Sequence, residues 1–64
     1  MKFYVTFGQK SPFRDGWVEV EAPTYDDARR MVIAALGSQW AMIYEEDLFE
    51  PHSFPSGKIG ETIK

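Results

Sequence analysis

Two alternating stretches followed by a single capped helix constrain this chain more than any other feature. In "KFYVTF", Phe3, Val5 and Phe7 project to one side and Lys2, Tyr4 and Thr6 to the other, the period-two signature of a strand over residues 2–7. "GWVEVEA" repeats the pattern, with Val18 and Val20 opposing Trp17, Glu19 and Glu21, and Asp15-Gly16 supplies turn chemistry at its entrance. "APTYDDARRMVIAALG" then changes period: Thr24 is placed to cap a helix, Asp26 and Asp27 sit near the positive end of its dipole, and Gly37 stands at the stop. Ala28, Met31, Val32, Ala35 and Leu36 recur at spacings of three and four, which predicts one buried stripe. After a short connection, "WAMIYEE" reads as a third strand that ends in acids.

Beyond Asp47 the periodicity dissolves, because Pro51, Pro55, Gly57 and Gly60 forbid a long regular element. Leu48, Phe49, Phe54, Ile59 and Ile63 are nevertheless too apolar for a disordered tail, so residues 48–64 are expected to wrap the domain, with room for a short fourth strand near 58–63. The order strand, strand, helix, strand makes the third strand run parallel to the second; placed beside the first, it completes an antiparallel sheet of order 2-1-3. The expected fold is thus a single α+β domain, a β-β-α-β core over residues 1–47 with one helix on one sheet face and an irregular carboxy-terminal tail.

Composition excludes several functions. Seven Lys and Arg against ten Asp and Glu give a net charge of −3, the wrong sign for generic phosphate binding, so nucleic acid is not the expected partner. The absence of cysteine removes disulfides, thiolate ligands and a cysteine nucleophile. The apolar run "MVIAALG" is far shorter than the roughly 20 residues that a bilayer requires, and the amino terminus lacks a targeting pattern. A soluble, unprocessed, intracellular chain without membrane contact is the reading.

The combination of "KFYVTFGQ", "GWVEVEA", "YDDARR" and "GSQWAMIYEEDLF" resembles small uncharacterised proteins encoded by bacteriophages of actinobacteria. Those proteins share a start of the form F-x-F-G-Q, a glycine-tryptophan-valine strand, an A-R pair in a helix and a W-A-x-x-Y strand followed by acids. The resemblance implies a phage accessory protein in the cytoplasm of an infected bacterium. It carries no catalytic residue with it, since the matched positions are mainly fold-determining.

Few constellations bear chemistry. His52, the lone histidine, lies between Pro51 and Ser53, and no spacing joins it to a serine and a carboxylate. Glu45, Glu46, Asp47 and Glu50 lack the spacing of a calcium loop, and neighbouring carboxylates on a strand point to opposite faces. Lys58 between Gly57 and Gly60 is turn chemistry, not a phosphate clamp. No catalytic residue, cofactor or metal is expected.

The ten aromatic residues are more informative. One helix covers one face of a three-stranded sheet; if Val5, Val18, Val20 and Ile43 face it, then Tyr4, Trp17, Trp40, Met42 and Tyr44 line the other. Two readings stand: the tail's Leu48, Phe49, Phe54 and Ile59 fold over that face, or part of it contacts another protein. The loop "GQKSPFRDG" poses a similar choice, for Phe13 between Lys10 and Arg14 either tucks onto the strand ends or forms a recognition tip. The candidate partner-binding residues are therefore Lys10, Phe13, Arg14, Trp17, Trp40, Met42 and Tyr44.

The expected function is non-enzymatic binding of an unknown host or phage protein, with modulation of a host factor as its outcome. The alternative is an acidic nucleic-acid mimic that blocks a DNA- or RNA-binding host protein, and a small hydrolase-like enzyme stands behind both. Strands two and three are the expected sheet edges. If the tail leaves strand three uncovered, a homodimer with Trp40 or Tyr44 at or near the contact follows.

Overall fold

The structure, a computed structural model, describes residues 1–64. Strands β1 (Lys2–Thr6), β2 (Gly16–Glu21) and β3 (Met42–Glu45), helix α1 (Tyr25–Leu36) and a two-residue strand β4 (Gly57–Lys58) appear in that order along the chain. Two short 3-10 turns, Glu46–Leu48 and Pro51–Ser53, lie between β3 and β4. The α+β class and the central position of β1 match the reading of the sequence.

Two details of the topology are corrections. The sheet has four strands in the order β3-β1-β2-β4, and it is mixed: β1 is antiparallel to both β2 and β3, whereas β4 runs parallel to β2. The cause is the path of the tail. It leaves β3, crosses the face opposite α1 and rises along β2 in the same direction. Ser56 N–H donates to Asp15 C=O at 2.8 Å, Ile59 N–H to Trp17 C=O at 2.8 Å and Ile63 N–H to Glu19 C=O at 2.9 Å, so the tail zips onto β2 well beyond β4 itself. The short fourth strand expected near 58–63 is confined to Gly57–Lys58; Gly60, at φ 65°, turns the chain, and pairing resumes as a single parallel bridge between Val20 and Ile63. The sheet edges are consequently β3 and β4, not β2 and β3.

The helix forms as its caps dictate. Thr24 Oγ1 accepts from Asp27 N–H at 3.2 Å, and Gly37, at φ 63°, turns the chain out while its N–H bonds Ile33 C=O. Ala28 and Val32 are fully buried, and Met31 and Leu36 flank them half-buried. Ala35, expected on the buried stripe, is exposed; at the last turn the longer side chains of Met31 and Leu36 carry the packing. Beneath α1 lie Phe3, Val5, Phe7, Val18, Val20 and Ile43, all buried, with Ile59 and Ile63 of the tail against them. Gly16 makes Ile59 possible there, since a Cβ at Gly16 would stand 2.4 Å from Ile59 Cδ1.

Candidate functional site

The face opposite α1 belongs mainly to the tail. Phe49 stacks on Tyr4 with ring centroids 4.7 Å apart and an interplanar angle of 12°, and meets Trp17 edge-on at 5.5 Å, Tyr44 at 5.9 Å and Phe54 at 5.4 Å. Offset stacks and edge contacts of this kind are the favoured geometries of aromatic rings. The tail's apolar residues divide, however. Phe49 and Phe54 cover the aromatic face, Ile59 goes to the helix side, and Leu48 stays 68% exposed. A small open cleft of about 250 Å³ between Tyr4, Trp17, Glu46, Phe49 and Pro51 marks the margin of that cover. Trp17 Nε1 is buried there without a polar partner.

Trp40 corrects a second expectation. It was assigned to the aromatic face by strand alternation, but β3 begins only at Met42, so Trp40 lies in the preceding loop. Its ring packs against the helix-side core, and its indole N–H donates to Gly37 C=O at 2.9 Å. That bond satisfies a carbonyl beyond the reach of the helix's own ladder.

The loop after β1 is a series of turns. Ser11 N–H bonds Gly8 C=O, Arg14 N–H bonds Ser11 C=O and Gly16 N–H bonds Phe13 C=O, at 2.9, 3.2 and 2.9 Å. Phe13 leans on Phe7 at 5.6 Å yet remains 50% exposed, which lies between the two alternatives posed by the sequence. Lys10 and Arg14 are exposed and join no ion pair. The seven candidate residues thus do not converge: Lys10, Phe13 and Arg14 form one end, Trp17 and Tyr44 lie beneath Phe49, Trp40 closes the helix, and Met42 stands at the sheet edge.

A feature that motif reading passed over is Glu19. Its Oε2 accepts from the Thr62 hydroxyl at 2.6 Å and lies 3.5 Å from Lys58 Nζ, while its Oε1 lies 3.8 Å from Lys2 Nζ; Lys58 Nζ in turn donates to Thr62 Oγ1 at 2.8 Å. The Thr62 hydrogen bond, and after it the charges of Lys2 and Lys58, hold the Glu19 carboxyl below its ordinary value against the opposing effect of burial. Burial, followed by the charges of Glu46 and Glu19, raises the Tyr4 phenol. The available signal was an acid on an aromatic face, at an inner position of the sheet, which needs cations from elsewhere. Glu19 is therefore spent internally and does not join the acidic surface.

The free surface is the outer edge of β3. Ala22 N–H donates to Met1 C=O at 3.0 Å, and the register Tyr4↔Glu19, Thr6↔Trp17 continues from that pair. By alternation, Phe3 and Val5 exchange hydrogen bonds with β2, and Tyr4 and Thr6 turn theirs toward Tyr44 and Met42. By the same alternation the N–H and C=O of Ile43 and the N–H of Glu45 point away from the sheet, while the Glu45 C=O, at the N-cap of the turn Glu46–Leu48, faces into that turn. Met42 of this strand is 52% exposed. At its end, Glu45, Glu46 and Asp47 line an open cleft of about 410 Å³ with Met1 and Lys2.

His52 stands apart, its side chain 81% exposed, with Nε2 3.8 Å from Glu50 Oε2 and no walls around it. No three acidic or histidine side chains are grouped to hold a metal ion, and no helix is long and apolar enough to cross a membrane. No family model matches the chain, and neither a curated protein nor a solved structure matches it.

Proposed function

We propose that this chain is a non-enzymatic binding module that engages a protein partner by adding that partner's strand to the outer edge of β3. The observation that carries the reading is the unprotected edge itself. Sheet edges are commonly blunted by proline or charge, and between Ala41 and Tyr44 there is neither. The other edge, β4, is only two residues long and offers little to pair with. Beside the outward N–H and C=O of Ile43 and the N–H of Glu45, the exposed Met42 supplies apolar contact. The resemblance to phage accessory proteins suggests the setting, in which the partner is a host or phage protein.

A proline at position 45 tests this directly. Glu45 has φ −71°, a value that proline adopts without strain, and its N–H serves no bond within the fold. Glu45→Pro should therefore fold normally and lose the outward donor, while Glu45→Gln retains the donor and removes the charge. The tagged 64-residue chain, expressed in bacteria, should recover a defined partner that Glu45→Gln also recovers and Glu45→Pro does not. Equal recovery by a folded Glu45→Pro variant, or no partner for the folded parent, would overturn the edge as the binding surface.

A further inference from the structure

The chemistry of the occupant is written in the charges around the edge. Residues 38–50 contain Glu45, Glu46, Asp47 and Glu50 and not one Lys or Arg. Glu45 and Asp47 are exposed and engage in no ion pair or side-chain hydrogen bond. Resting on the proposed edge pairing, we infer that β3 receives an extended segment rich in Lys or Arg, whose apolar residues lie on Met42 and whose cations reach the carboxylates from Glu45 to Asp47.

A second copy of this chain fits less well. A two-fold antiparallel pairing that uses the outward groups of both Ile43 and Glu45 sets Ile43 opposite Glu45 of the other copy and Met42 opposite Glu46, so that ladder contributes carboxylates from both sides and no cation. Each copy also carries a net charge of −3, and the repulsion opposes encounter. A basic segment meets attraction both locally and at long range, and its strand geometry satisfies the outward N–H and C=O of Ile43 and the outward N–H of Glu45.

Fluorescence anisotropy of the full chain with labelled ten-residue peptides decides the matter. The probes are an alternating Val/Lys peptide, the same peptide with Glu for Lys, and the Val/Lys peptide with alternate backbone nitrogens methylated, prepared in both registers. Binding of the Val/Lys peptide alone is expected, weakening as salt rises, with loss in one methylated register. Reversing two rim charges in Glu45→Lys/Asp47→Lys should weaken that binding by about tenfold or more, and circular dichroism confirms that the variant is folded. Equal binding of the Glu peptide, or no effect of the charge reversal, overturns the basic occupant while leaving edge pairing intact. Binding indifferent to methylation in both registers overturns strand addition itself. Absence of peptide binding together with a dimeric mass in sedimentation equilibrium assigns the edge to a second copy and overturns the inference.

Discussion

Phe49 illustrates how much one side chain can organise in a chain of this size. It follows a 3-10 turn with no regular neighbours, yet its ring joins Tyr4, Trp17, Tyr44 and Phe54 into one aromatic cluster on the face opposite α1. Replacing it by alanine removes those contacts and opens the buried flank of Trp17. Phe49→Ala should cost about 2–4 kcal/mol, less than a fully enclosed phenylalanine because the site is half-buried and partly refilled by water. Urea denaturation measures it, and a red shift of Trp17 emission should accompany the loss. A stability unchanged within error would show that the tail's aromatic cover is incidental.

At the scale of elements, the tail behaves as part of the sheet, and Glu19 is the clasp that holds it. The Glu19 carboxylate accepts from Thr62 and faces Lys58 on β4 and Lys2 on β1, so it ties three segments together. Its pKa is depressed in the folded chain, below an ordinary value of 4.5. The native state therefore favours the ionised form: the stabilisation is fully present above the unfolded pKa and is lost as pH falls through the folded one. Glu19→Gln should lower the thermal midpoint near neutral pH, and the gap between parent and variant should narrow as both are acidified below the ordinary carboxylate value. A gap of the same size at neutral and at acid pH would mean that the carboxylate charge contributes nothing to holding the tail.

The whole molecule is small enough that neither face of the sheet is dispensable. A domain of 64 residues buries only about 60% of the surface its unfolded chain exposes, so its net stability is a small difference between large terms. Residues 48–64 contribute Ile59 and Ile63 to the helix-side core and Phe49 and Phe54 to the opposite face. A chain ending at Asp47 should accordingly lack a cooperative thermal transition, despite containing every element of the β-β-α-β core. Far-UV circular dichroism of that truncation is the check; a sharp transition within a few degrees of the parent would make the tail an accessory.

What the sequence determined by itself was everything that depends on neighbours along the chain. The alternation of Phe3, Val5 and Phe7, the Thr24 cap, the Gly37 stop and the apolar spacing of Ala28, Met31, Val32 and Leu36 are local patterns, and each placed its element within a residue or two. The position of β1 between β2 and β3 followed from connection length and direction. Where the tail would go was not local. Its parallel pairing with β2 depends on Ser56, Ile59 and Ile63 finding open backbone groups, and on the space above Gly16 that admits Ile59. Trp40 was misplaced for the same reason, since alternation predicts a face only within a strand and the strand begins two residues later. The candidate site shows the same division: Met42 and the acids after Tyr44 could be read from the chain, but that β3 and not β2 is left open was decided when the tail closed the other edge.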